Sequence, residues 1–172
     1  MTIIDTLKDS ELFGGLETRH LEKVSFLCRG RSYREGVTIF KEGGEATEFF
    51  VLTGGRVALE MEVRPVPNRP AIPTAVEVVS KGEIFGWSAL VEPYEYTLSA
   101  RCMTNCTALA IKADVLRKVM ADDPGLGFEL TKRLARLISL RLAHTRLRLV
   151  NGLGLILLDK ELEASEQAVP RI

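Results

Sequence analysis

Regular structure is interrupted twice within KGEIFGWSALVEPYEYTLSARCMTNC, residues 81–106, and few folds accommodate that pattern. Lys81-Gly82-Glu83 is a turn signal after the β-rich run AVEVVS. At Gly86 a backbone without Cβ can take positive φ or approach a ligand closely. Ser88-Ala89-Leu90-Val91 suffices for one short helical turn, which Glu92-Pro93 stops. Tyr96 to Cys102 then reads as a strand. Strand, glycine turn, helical turn and return strand together build a small cup. The N–H groups at the helix start favour an anion or a polar ligand oxygen.

The flanking segments set this cup in a larger pattern. Residues 3–28 read as helical, with Asp9 or Ser10 capping a short turn around Glu11-Leu12-Phe13 that Gly14-Gly15 ends. Leu16, Leu21, Val24 and Leu27 recur at near-helical spacing, and His20 is expected on the solvated face. From Arg29 to about Ala113 short β runs alternate with turns, and the runs on either side of Gly54-Gly55 predict a hairpin. Four prolines in the eleven residues RPVPNRPAIPT predict an exposed loop joining hairpin strands. Many short strands with regular turns indicate a closed roll or barrel.

Beyond Lys112 the period turns helical. Asp114 to Met120 predicts one short helix, and Asp122-Asp123-Pro124 opens another, with Asp as N-cap and Pro in the first turn. This second helix is expected to run to about Val150, about 40 Å at 1.5 Å per residue. Leu126, Leu130, Leu134 and Leu137 form one stripe, then Leu140/Leu147 and Leu142/Leu149 form two more. A helix apolar on two flanks touches two things, its own roll and a partner helix.

The cassette stretch resembles the phosphate-binding cassette of the cyclic-nucleotide-binding domain superfamily, of the catabolite-activator type. Gly82, Glu83, Gly86, Ala89, Leu90 and Thr97 carry the match, and the phrase IFKEGGEATEFFVLTGGRVAL resembles the family's early β-roll. The resemblance implies an α+β fold: a β-roll (double-stranded jelly roll) flanked by N-terminal helices and a long C-terminal dimerisation helix. It implies residues 1–121 as the roll with its helices and 122–172 as the long helix and tail. The implied ligand site comprises Gly86, Trp87, Ser88, Ala89, Tyr96 and Thr97, with Arg141 reaching in from the long helix. A cyclic nucleotide or another small ligand would occupy it, with no metal and no catalytic residue.

Two positions depart from the family pattern. Trp87 stands where the family has its ribose-binding glutamate, and the family's phosphate-binding arginine falls on Tyr96, or on Thr97 with a different gap. An arginine fork gives charge-assisted hydrogen bonds of roughly 1.5–3 kcal/mol each, so its loss costs roughly ten- to several-hundred-fold in affinity. Three occupancies follow: a nucleotide whose charge Arg141 or Arg101 balances, a flatter and less charged molecule lined by Trp87 and Tyr96, or a cup filled by its own aromatics.

Composition narrows the function further. The 23 basic and 23 acidic residues cancel, which leaves no electrostatic footprint of a dedicated nucleic-acid binder. The residues after Asn151-Gly152 show no helix-turn-helix pattern, so direct DNA reading is not expected. Cys28, Cys102 and Cys106 form no CxxC pair and read as reduced thiols of a cytoplasmic protein. No signal core opens the chain, and the longest apolar run, Leu153 to Leu158, is too short to span a bilayer. His20 and His144 lie outside the β region, unlike the clustered ligands of a cupin-type enzyme. A haem would find Cys102 and His144 as candidates by residue type only. The readings that remain are a homodimeric sensing module with a protein partner and a ligand-free dimerisation scaffold.

Overall fold

The computed structural model describes residues 2–64 and 69–167, with side chains as far as residue 152. Helices α1 (Ile3–Lys8) and α2 (Thr18–Ser25) precede the strands β1 (Cys28–Tyr33), β2 (Thr38–Phe40), β3 (Glu48–Gly54) and β4 (Val57–Val63). There follow β5 (Ile72–Val79), β6 (Ile84–Phe85), a 3-10 helix (Trp87–Leu90), β7 (Ser99–Cys102) and β8 (Cys106–Lys112). Helices α3 (Ala113–Asp122) and α4 (Pro124–Gln167) end the described chain. The strands form two four-stranded antiparallel sheets, ordered β1-β8-β3-β6 and β2-β7-β4-β5. This is the α+β double-sheet roll that the sequence predicts.

One alternating set of side chains makes the core between the sheets. Phe50 and Leu52 of β3 meet Val57 and Leu59 of β4, Phe85 of β6, Ala100 and Cys102 of β7, and Ala108 and Ala110 of β8. These positions step by two because a strand shows alternate residues to each face. The residues of the opposite face of β3, Phe49 and Val51, are fully buried as well. Phe13 packs against Phe49 with ring centroids 6.1 Å apart. Burial on both faces explains why β3 reads as a continuous apolar run.

Several local expectations need correction. Gly54-Gly55 is not a hairpin turn: β3 and β4 lie in different sheets, and Gly55, at φ 84°, carries the chain from one to the other. A Cβ at Gly55 would meet the Asn105 carbonyl oxygen at 2.4 Å and Cys106 Sγ at 2.8 Å, so a side chain has no room there. The hairpin instead joins β4 and β5, with Val63 opposite Ile72. Residues 65–68 of its proline-rich loop lie outside the described residues. The N-terminal helical region stops at Ser25, and Cys28 already pairs with Ile111 in the sheet.

Tyr96 does not belong to a strand of the sheet. Its N–H donates to the Gly44 carbonyl at 2.9 Å and its carbonyl accepts from Gly43 N–H at 2.8 Å, so it pairs with a turn instead. β7 begins only at Ser99.

His20 is buried at 3% exposure, not solvated. It shares the apolar face of α2 with Leu21 and Val24, and its Nε2 lies 3.6 Å from Asp123 Oδ2. The three cysteines are free thiols and all are buried. Burial pushes the Cys28 and Cys102 thiols up to about 12.

The residues 122–124 signal works as expected. Asp123 Oδ1 accepts from Leu126 N–H at 3.2 Å, which caps the first turn of α4. Its Oδ2 accepts from Lys23 Nζ at 2.6 Å. The helix passes the expected end near Val150, because Gly152 and Gly154 each cost only about 1 kcal/mol among good helix formers. The chain divides into two compact units, Met1–Thr131 and Lys132–Ile172. Leu126, Leu130, Leu134 and Leu137 are buried, and Leu140, Leu142, Leu147, Leu149 and Val150 are exposed. No helix among the described residues is long and apolar enough to cross a membrane.

The Lys23 hydrogen bond, and then the Leu126 amide, hold the Asp123 carboxyl at about 2. A depressed folded value means that the stabilisation is complete above the ordinary carboxylate range and is lost as pH falls toward 2. Asp123→Asn keeps a competent cap but removes the charge. Thermal melts should show it less stable than the parent at pH 7, with the difference closing between about pH 4 and 2.

Candidate ligand-binding site

The cup is anchored from below by backbone. Gly82 N–H donates to the Leu52 carbonyl at 2.8 Å, and Leu52 N–H donates to the Glu83 carbonyl at 2.9 Å. Ile84 N–H donates to Glu11 Oε1 at 2.7 Å, which ties the N-terminal segment to the same turn. Ile84 and Phe85 are fully buried, so the chain enters the cassette from a fixed point.

Gly86 then takes φ 73°, a left-handed conformation that favours glycine. A Cβ here would stand 3.1 Å from Phe40 Cε1 and 3.3 Å from both Tyr96 Cε1 and the Glu48 carbonyl oxygen. The chain turns at once into the 3-10 helix, where Ala89 N–H donates to the Gly86 carbonyl at 3.1 Å. Ala89 is fully buried, whereas Trp87 and Ser88 are half-buried.

Tyr96 is a packed structural residue. Its ring stacks on Phe40 with centroids 3.8 Å apart and planes 9° from parallel. Its hydroxyl donates to the Glu48 carbonyl at 2.6 Å and accepts from Glu48 N–H at 3.3 Å. Burial pushes the phenol above its ordinary range, so it stays neutral. Gly86 and Tyr96 therefore come together around Phe40 and Glu48. Thr97, one residue on, is exposed. Arg141 is half-buried on α4, in the unit Lys132–Ile172.

A cavity of about 670 Å³ takes in Tyr96 and Thr97 but none of residues 86–89. Glu60, Ser99 and Arg101 also line it. On their strands these three alternate with the core residues Leu59, Ala100 and Cys102, so they lie on the sheet face turned away from the core. Arg101 Nε donates to Glu60 at 2.9 and 3.1 Å and Nη2 donates at 2.6 Å, a forked pair on a nearly buried carboxylate. Glu60 holds the Arg101 guanidinium above its ordinary range. Arg101 is thus committed to Glu60 on the outer face.

Sequence reasoning missed Phe40, Glu48 and Arg117. Arg117 Nη1 donates to the Ala89 carbonyl, and its guanidinium carbon lies 4.1 Å from the centre of the Tyr94 ring. No local signal marks these residues, because each meets the cassette only through tertiary folding. Among the described residues no cluster of His, Cys, Asp or Glu could hold a metal ion.

A family model, that of the cyclic nucleotide-binding domain, matches residues 30–123. A CRP-like cAMP-activated global transcriptional regulator of Mycobacterium tuberculosis is 24% identical over 141 residues, which are 82% of this chain and 59% of that protein. The chain therefore spans less than two thirds of the length of the curated relatives it matches. Among solved structures, a cyclic nucleotide-binding domain from Methylobacillus flagellatus KT has a TM-score of 0.73 at 17% identity, covering 87% of this chain and 82% of that one. The regulatory domain of Toxoplasma gondii PKA, crystallised with cAMP, has a TM-score of 0.63 at 17% identity, covering 78% and 49%. At such identities the structural likeness speaks for the fold.

Tyr96→Phe tests the structural assignment of this side chain. The Phe40 stack survives and the Glu48 backbone loses its hydroxyl partner, which should cost about 1–3 kcal/mol in chemical denaturation. A neutral result would mean that the hydroxyl does not hold the cup wall.

Proposed function

The chain belongs to the cyclic nucleotide-binding domain family, and on that premise we propose that it is a regulatory module that senses a small molecule. Residues 1–121 form the sensing roll, and residues 122–172 form the output helix and tail. The observation that carries the reading is the preserved bend: left-handed Gly86, the 3-10 helix and buried Ala89. Such a bend has a use as a ligand seat.

The ligand chemistry differs from that of an arginine-bearing cup. Tyr96 is spent on Phe40 and Glu48, and Arg101 on Glu60. Trp87 is a half-buried aromatic next in sequence to the Ser88 hydroxyl, and the Thr97 hydroxyl is exposed ten residues on. This set suits a flat molecule of low charge better than a cyclic phosphate. The alternative is a degenerate cassette kept for dimerisation and docking, which the close Phe40–Tyr96 stack favours.

A thermal-shift and calorimetric panel of cyclic AMP, cyclic GMP and small aromatic ligands separates these readings. The sensing reading expects a shift with a low-charge aromatic ligand and weak cyclic AMP binding. No response across the panel would leave the scaffold reading. Thr97→Arg restores a cation at the exposed position and should raise cyclic AMP affinity by roughly tenfold or more.

The exposed leucines of α4 supply the second half of the proposal, a homodimer built through that helix. It would act in the cytoplasm on a protein partner and would not read DNA directly. Sedimentation equilibrium should find a dimer that Leu142→Ser with Leu149→Ser converts to monomer. A monomeric parent would remove this half of the proposal.

A further inference from the structure

Arg117 lies on α3, outside the cassette, and joins the two. The 3-10 helix is four residues long, so its last carbonyls need partners from elsewhere. Arg117 Nη1 supplies one for Ala89, a fully buried residue. The same guanidinium covers the Tyr94 ring at 4.1 Å. Tyr94 holds φ 60°, a left-handed conformation uncommon for a residue with a side chain. Its carbonyl accepts from Ala46 N–H at 2.7 Å, and next to Ala46 the Thr47 carbonyl accepts from Ala113 N–H, the first residue of α3, at 2.9 Å. Cassette, Tyr94, the 46–47 loop and α3 thus close a ring of contacts.

We propose that Arg117 is the positioning residue through which the cassette and α3 move as one. A change in the turn carries the Ala89 carbonyl, the guanidinium follows its acceptor, and α3 follows the guanidinium. A cavity of about 400 Å³, lined by Thr47, Tyr94, Lys112, Asp114 and Arg117, leaves room for the guanidinium to leave its seat. The link can therefore open without disturbing the sheets. Asp123, at the end of α3, caps α4, so the displacement reaches the start of the long helix. The regulatory meaning of this link rests on the sensing role proposed above. The link itself needs no ligand, and neither does its test.

Hydrogen exchange of the full chain reads it directly. Arg117→Met should speed exchange of the Ala89 and Val91 amides and of the α3 amides together, by about tenfold, with β3 and β8 unchanged. Arg117→Lys, which keeps a cation over the ring and a donor for the carbonyl, should restore much of the protection. Turn amides that stay within about twofold of the parent would overturn the proposal, as would acceleration spread equally through β3 and β8. Should the Met variant fail to fold, Tyr94→Leu removes the ring and keeps the charge. Its turn and α3 must then loosen together, and loosening of one alone refutes the link.

Discussion

The aromatic contact of Phe40 with its neighbours is the constraint on which the cup depends. Phe40 belongs to one sheet, stacks on Tyr96 at 3.8 Å, and lies 6.0 Å from both Phe50 and Phe85 of the other sheet. Phe50 and Phe85 are in turn 5.0 Å apart. Each such pair contributes about 0.5–1.5 kcal/mol beyond the area it buries. The geometry matters more than the sum. The ring edge of Phe40 is what a side chain at Gly86 would strike, so the stack determines which residue the bend accepts. Packing inside the roll and conformation of the cassette are one problem.

Tyr96 is a structural pin of the roll. Its phenol stacks on Phe40 and bonds the backbone of Glu48. Arg101, locked onto Glu60 on the outer face, spends its charge on holding β7 to β4. The proposed preference for a flat, weakly charged ligand follows from that placement.

Much of the architecture was legible because it depends on local rules. Gly86 between an apolar strand and a short helical turn, Asp123 before Pro124, and the leucine stripe of α4 all announce themselves within a few residues. What was not legible depends on distant partners. Gly54-Gly55 has the composition of a hairpin turn, yet sheet membership is decided by β7 and β8, some fifty residues downstream. Tyr96 resembles the first residue of a strand, but its hydroxyl partner is 48 positions away. His20 looks like any polar helix residue until Asp123 is placed beside it. Of the candidate site, the bend was readable, and the aromatic wall and the Arg117 link were not.

The pairing of Lys23 with Asp123 closes a loop of 100 residues that contains all eight strands. Closing so long a loop is entropically costly until the intervening chain is already compact. The Lys23–Asp123 pair therefore forms only after the roll has condensed. On a ribosome, a growing chain that had made every strand but not yet released residue 123 would still lack the lock between its first helices and its last.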